Sequence, residues 1–406
     1  MNNENTATVQ TNWPLVVVGF VALAIAFSAR AALSLVMPTW QEEFEWTRSF
    51  ISSVMGGSLV LMAIVAPVAG WLVDKRGSKE TLVLGLALLA IGCALVSVMQ
   101  TKMLFIIGFG VFSALGFGLA ATHVVATAVT KSFSNNQGLA TGIATSGSTG
   151  GQFLVVPLLA VLLGLFSWRL SFAAIAITCA LLCAYLLFWK EQRPETQSSG
   201  SSNAKSNLRD DLGTILTTPT FHWLLWSFVI CGVTTTGVIE THMVPFATFC
   251  GFPPLPSATA YGLLSLVNLV GMIGAGYLAD RVNRPILLGS IYVLRGASFI
   301  LLFMLPGLGI EYLFLFAIFF GVVDYSTLPV TASLIASHIG LKSMGLAMGL
   351  LSAGHALGGA IGAYAGGYVF DNLSNYDWLW LGSLWLSIAA GVLVLLVPAK
   401  GKVLAT

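Results

Sequence analysis

The chain has 406 residues, 57% of them hydrophobic and only 8% charged, with 18 Lys plus Arg against 16 Asp plus Glu for a net charge of +2. That composition excludes a soluble globular protein, and basic residues scattered without a patch exclude a nucleic-acid binder. A polytopic membrane protein remains.

A run of about 20 apolar residues crosses a bilayer as one helix. Such runs predict twelve spans, at 14–37, 50–72, 80–100, 103–128, 138–166, 169–189, 220–246, 257–279, 285–305, 312–334, 344–369 and 378–397. The fold class is therefore an all-α polytopic membrane protein. The first 13 residues are polar and hold no Lys or Arg. The run that follows is read as a retained span, since a cleaved signal peptide would want a basic start and a shorter core. The five cysteines show no metal-type spacing.

Counted along the chain, 13 of the 18 basic residues fall on the side that holds both termini, three fall on the other, and Arg30 and Arg295 lie within spans. Positive charge stays on the cytoplasmic side, so both termini are expected there. The Ser-rich stretch 190–219 divides six spans from six and reads as a cytoplasmic linker. A short amphipathic helix around Leu208 to Leu216 is an option, and an unstructured tether is preferred. The expected layout is a tail at 1–13, a six-helix bundle at 14–189, the linker at 190–219, a second bundle at 220–397 and a tail at 398–406.

Two internal repeats tie the bundles together. Gly70-Trp-Leu-Val-Asp74-Lys75-Arg76-Gly77-Ser-Lys79 is echoed 206 positions later by Gly276-Tyr-Leu-Ala-Asp280-Arg281-Val-Asn-Arg284. Gly138-Leu-Ala-Thr-Gly142 is echoed 207 positions later by Gly345-Leu-Ala-Met-Gly349. One duplicated six-span unit explains both, with the halves parallel and related by an axis along the membrane normal. Gly354, Gly358, Gly362 and Gly366 form a stripe on one helix face, and Gly138, Gly142, Ser146 and Gly150 do the same in span 5. Such stripes permit close backbone contact, expected here between the halves.

Ionisable groups within spans cost about 2.5 to 3.5 kcal/mol each on insertion scales, so each needs a reason. Arg30 lies two-thirds along span 1, and its planar fork suits a carboxylate, from a substrate or another span. His123 near the end of span 4 has the look of a satisfied polar residue. Glu240 and His242 in span 7 either face a wet vestibule or mark the end of the span. Asp324, followed by Tyr325, Ser326, Thr327 and Pro329, either carries a proton from a cavity wall or forms a static ion pair with Arg295. His355 aligns with Ser148 of the first half and is specific to one half. No metal-ligand spacing, nucleotide loop or hydrolase motif appears.

Together these features resemble the major facilitator superfamily of secondary transporters. Gly70, Leu72, Asp74, Gly77 and Lys79 match that superfamily's loop motif between spans 2 and 3. The resemblance implies a gating latch built from Gly70, Asp74, Lys75, Arg76 and Gly77, with Asp280 and Arg281 as its echo. Asp74 would cap a helix, and the basic residues would meet carbonyls and lipid headgroups. A closer resemblance, to the monocarboxylate and oxalate–formate branch, rests on Met37 to Ser52, on Gly138 to Gly151 with Pro157 and Trp168-Arg169, and on Ser352 to Gly359 with Asp371 and Tyr376-Asp377. That branch's basic residue in span 8 has no counterpart, since Tyr261 to Ala279 offers only Asn268.

The resemblance implies a cavity lined by spans 1, 4, 7 and 10, with Arg30, His123, Glu240, Tyr325 and His355 binding substrate and Asp324 or Glu240 taking a proton. Phe27, Trp226, Phe228 and Tyr325 give a planar ring something to stack on. The expected protein is not an enzyme. It is a proton-coupled, inner-membrane importer of an organic anion, monomeric, held in lipid, and without cofactor or metal. The alternatives are a near-neutral aromatic heterocycle such as riboflavin as cargo, or a membrane sensor that transports nothing.

Overall fold

Lipid offers no hydrogen-bond partner to the backbone, so an apolar chain of this length satisfies itself with helices. The computed structural model describes residues 12–154, 158, 166–189 and 208–399. Its transmembrane helices are α1 (Trp13–Phe44), α2 (Arg48–Arg76), α3 (Ser78–Ser97), α4 (Lys102–Lys131) and α5 (Gln137–Thr145, resuming over 147–154), then α6 (Trp168–Phe188). The second half supplies α7 (Pro219–Phe249), α8 (Pro254–Ala279), α9 (Arg284–Met304), α10 (Glu311–His338), α11 (Met344–Leu373) and α12 (Asp377–Leu395). Eleven helices among the described residues are long and apolar enough to span a membrane. The rest of the fifth span with Pro157, most of the linker and both tails lie outside the described residues.

Local chemistry sets the ends. The Thr47, Thr101, Ser167 and Asn283 side chains accept the free amides that open α2, α4, α6 and α9. Pro219 and Pro285 sit in the first turns of α7 and α9, where no amide is missed. Between α2 and α3 the chain turns through Gly77 at φ 104°, a conformation that a side chain would strain.

The linker corrects one expectation, because Leu208–Thr217 is a helix. Its Ile215 is fully buried beneath α7 and α9, the Leu216 carbonyl contacts the His222 ring at 2.6 Å, and Ser343 donates to Asp211 at 3.4 Å. Ile215, with Leu212 packed against the same core, anchors the segment despite its charged first turn.

Each half has an aromatic core at the end remote from Asp74, here called the far side. In the first half Trp40 packs on Phe105, Trp168 and Phe172, with ring centroids 5.1 to 5.9 Å apart. Glu43 closes that corner by accepting from Trp168 Nε1 at 2.6 Å and from Arg169 at 2.7 Å. Burial opposes the charge on Glu43, yet the hydrogen bonds from Trp168 and Arg169 and the Arg169 charge hold its carboxyl below the usual range. The acidic pair after span 1 and the Trp-Arg before span 6 are thus two halves of one contact. In the second half Trp380 packs with Phe246, Tyr376 and Phe299.

The halves meet along α2 with α11 and α5 with α8. Cβ atoms at Gly70 and Gly345 would each strike the other's carbonyl oxygen, and Gly138 and Gly276 stand in the same relation. The interface glycines are those of the repeats, Gly345 and Gly349 facing α2 and Gly138 and Gly142 touching α8. The span 11 stripe of Gly354, Gly358, Gly362 and Gly366 packs on Leu225, Val229, Val233 and His242 of its own half, whereas Gly150 of the span 5 stripe touches both Phe20 of α1 and Leu269 of α8. The expectation that the stripes join the halves is corrected for span 11, because its glycine face lies against α7.

Candidate functional site

The side bearing Asp74 and Asp280 is sealed by two crossed latches. Asp74 accepts from Gly345 N at 2.8 Å and Leu346 N at 2.7 Å, capping α11 of the other half, and pairs with Lys131 at 2.5 Å. Asp280 accepts from Gly138 N at 2.8 Å and Leu139 N at 2.9 Å, capping α5. The two repeated motifs of the sequence therefore bind each other crosswise. A carboxylate at a helix N-terminus satisfies orphan amides and complements the helix dipole, so each latch holds only while the halves touch. Lys131 is a latch member that the sequence reading missed. The other motif cations act locally. Lys79 donates to the carbonyls of Leu187 and Trp189, at 3.2 and 2.6 Å, Lys75 sits over the Trp71 ring, and Arg281 stacks on Tyr277.

Above this seal lies a cavity of about 210 Å³, continuous through Arg30, Leu59, Met62 and Thr241 with a wider vestibule of about 870 Å³ toward the far side. The inner cavity gathers Arg30, His123, Tyr325 and His355, and the vestibule adds Glu240. All five residues assigned to substrate from sequence thus surround one space. The walls come from α1, α4, α7 and α10, and also from α2 through Met62 and Ala66 and α11 through Ser352 and His355. His355 reaches the site from a helix the resemblance did not assign to it. Phe27, Phe228 and Tyr325 line the cavity, but Trp226 is 56% exposed on the outer surface and is removed from the stacking set.

Arg30 carries the site's free cation. No carboxylate among the described residues lies within ion-pair distance of it, and its guanidinium lies over the Phe27 ring at 4.8 Å. Glu240 accepts from the Tyr325 hydroxyl at 2.7 Å, which fixes one oxygen and leaves the other toward the vestibule. His242 does not reach the cavity, because its Nε2 contacts the Ala363 carbonyl at 3.0 Å within the half.

Asp324 lies behind the cavity wall and is 4% exposed. Its carboxylate accepts from Thr235 at 2.9 Å and Asn268 at 3.2 Å and stands 4.0 Å from the Arg295 guanidinium. Arg295, fully buried, also donates to the carbonyls of Val323 and Asp324 and to Cys231 Sγ at 2.9 Å. These acceptors and the Asp324 charge hold the buried guanidinium, although its Nε finds no partner among the described residues. Of the two readings left open for Asp324, the geometry favours the ion pair. The lone polar residue of span 8, Asn268, serves this group.

Three wall helices lose regular form at cavity depth. α4 breaks at Ala120 and Ala121 and contains a π-helical stretch at Ile106–Ser113, α7 turns π-helical over Val233–Ile239, and α10 breaks over Asp324 to Ser326. Irregular backbone at membrane depth is tolerated where protein or a wet cavity satisfies it. Pro329 signals the α10 break, since it cannot donate to the Tyr325 carbonyl, which Leu328 N takes at 3.0 Å instead. Nothing in Gly-Leu-Ala-Ala-Thr-His signals the break in α4.

A helical bundle with duplicated halves, latched on one side around a polar-studded central cavity, is built as a membrane transporter and not as an enzyme. The chain matches the Major Facilitator Superfamily over residues 19–323 and again over 275–404, and it belongs to that family. The "Uncharacterized MFS-type transporter YcxA" of Bacillus subtilis (strain 168) is 23% identical over 369 residues, 90% of each chain. Monocarboxylate transporter 13 of Rattus norvegicus is 24% identical over 391 residues, 95% of this chain and 88% of that one, in line with the branch resemblance read from the sequence. Among solved structures, the E. coli fucose:proton symporter FucP has a TM-score of 0.76 at 17% identity, covering 94% of this chain and 97% of its own. The human organic anion transporter MFSD10 has a TM-score of 0.71 at 16% identity, covering 94% and 98%. Both share the fold.

Proposed function

We propose that this protein imports an organic carboxylate together with a proton by alternating access, in the inner membrane with both termini cytoplasmic. The observation that carries the reading is Arg30, a mid-membrane guanidinium on the cavity wall with no carboxylate among the described residues within ion-pair distance. A cation in that setting is costly unless an anion visits it. Relatives named monocarboxylate transporters support the cargo class, and a fold neighbour described as a proton symporter supports the coupling.

In this reading Arg30 binds the carboxylate, His123 and His355 contact the polar edge of the cargo, and Phe27, Phe228 and Tyr325 pack its apolar body. Glu240 takes the proton, and Asp324 with Arg295 braces the wall. Charge balance explains the coupling. The empty site holds Arg30 positive and Glu240 negative, and the loaded site holds Arg30 positive, cargo negative and Glu240 protonated. Both are neutral, so the bundles 14–189 and 220–397 rock without moving net charge, which would otherwise cost about 2.3 kcal/mol per charge per 100 mV. The latched state described above is the one open to the outside.

The test is uptake into proteoliposomes under an imposed inward proton gradient, screening carboxylates against neutral aromatic vitamins. Carboxylate uptake that rises with the gradient, falls at least about tenfold in Arg30→Ala and uncouples in Glu240→Gln is the expected result. Full activity of Arg30→Ala overturns the anchor. The aromatic lining favours a neutral heterocycle as second reading, and selective vitamin uptake would establish it.

A further inference from the structure

The break in α4 leaves a second arm, Thr122–Lys131, whose N-terminus opens at the cavity: Ala120, Ala121, Thr122 and His123 all line it. This arm is uncapped. Its N-cap position is Ala121, which has no side-chain acceptor, and no described acceptor takes the amides of Thr122 and His123. The His123 ring is 2% exposed, lines the same cavity beside the Ala66 backbone, and its Nε2 has no hydrogen-bond partner among the described residues.

The matching arm in the other half is differently furnished. Thr327–His338 also begins at the cavity without a side-chain cap, but an acid, Asp324, stands just ahead of it, held by Thr235 and Asn268, and Asn268 accepts the Tyr325 amide at 3.1 Å. Nothing equivalent exists in α4, since Lys102 to Lys131 contains no Asp or Glu. A helix N-terminus carries roughly half a positive charge and aims its amides at whatever lies beyond it. In a space closed to bulk water on the latch side, an unmet end of this kind calls for an anion.

We infer that the cargo's carboxylate is seated on the N-terminus of the second arm of α4, between the Thr122 and His123 amides, the His123 ring and Arg30. The inference rests on the organic-anion reading above and adds its seat. Arg30 supplies net charge, and the helix end fixes the direction of approach.

The experiment measures thermal stabilisation and equilibrium binding of pyruvate, benzoate, phenylpyruvate and indole-3-acetate by the purified full chain, with benzamide as an uncharged control. Ala121→Asp places a built-in carboxylate cap on the same amides. It is expected to keep or raise the melting temperature while weakening carboxylate binding at least about tenfold. Thr122→Pro deletes one amide at a position where proline suits a helix, and a loss of about three- to tenfold is expected, with folding retained. Benzamide binding, where present, is unchanged in both. If none of the four acids binds the parent chain, the organic-anion reading falls and this seat with it. If the parent binds and both variants bind within about twofold of it, the seat alone is overturned.

Discussion

Replacing Asp74 with Asn tests whether the crossed latches hold the halves together. The carboxylate accepts two amides from the start of α11, at 2.8 and 2.7 Å, and pairs with Lys131 at 2.5 Å. An Asn of the same shape keeps one acceptor oxygen, loses the charge, and leaves Lys131 without its partner. A hydrogen bond to a charged group contributes about 1.5–3 kcal/mol, and these contacts exist only while the halves touch on this side. The latched state should therefore lose about 2–3 kcal/mol, a shift of roughly 30- to 150-fold in the conformational equilibrium. Asp280→Asn loses one of its bonds at 2.8 and 2.9 Å, with no cation paired to it among the described residues. About 1–2 kcal/mol is expected there. Pulsed electron resonance between spin labels at Asn135 and Lys342, both exposed and one in each half, reads the opening directly. The longer-distance population should grow in Asp280→Asn and grow further in Asp74→Asn. Unchanged distances in Asp74→Asn, or a larger effect from Asp280→Asn, would refute the latch argument.

Arg295→Met removes the cation beside a buried carboxylate and should cost about 3–5 kcal/mol, whereas the double variant with Asp324→Asn should recover most of it. Melting temperatures in detergent measure both, and a single variant as stable as the parent would show that the pair is not structural. Gly70→Ala pushes a methyl group into the Gly345 carbonyl between halves, whereas Gly358→Ala pushes one into the Val229 carbonyl within a half. Each overlap costs about 1–3 kcal/mol, expected as lost uptake at normal melting temperature for the first and as lowered melting temperature for the second. The reverse pattern would contradict the placement of Gly70 between the halves and of Gly358 within one. Glu43 titrates below the usual carboxylate range in the folded chain, so its contribution is complete above that range and is lost as pH falls through its folded value. The pair is partly exposed, at 39% and 36%, so a loss of no more than about 1 kcal/mol is expected. Melting curves from pH 7 to 3 should converge for the parent and Glu43→Gln, and a constant gap between them would sink the assignment.

Hydropathy made the spans readable, because lipid imposes span length residue by residue and no partner need be known, and the repeated glycine motifs made the duplication readable. The same holds for the sparse ionisable groups. Four of those singled out by being costly in lipid, Arg30, His123, Glu240 and His355, surround one cavity with Tyr325. Linear reading failed where the outcome depended on which helix lies opposite. The span 11 glycine stripe carried no mark of which helix it faces, and Leu208–Thr217 was read as a tether because the buried site of Ile215 is set by helices distant in sequence.

By itself, then, the sequence determined the class of machine, its two halves and the short roster of charges that matter. Only the tertiary structure decided how they pair. It put Asp74 on α11, Asp280 on α5, Lys131 beside Asp74, and Asp324 behind the wall with Arg295, leaving Arg30 and the open end of α4 to the cavity. The physical reason is that insertion cost belongs to a residue and its span, whereas a charge's partner is set by helix packing between residues as many as 272 positions apart.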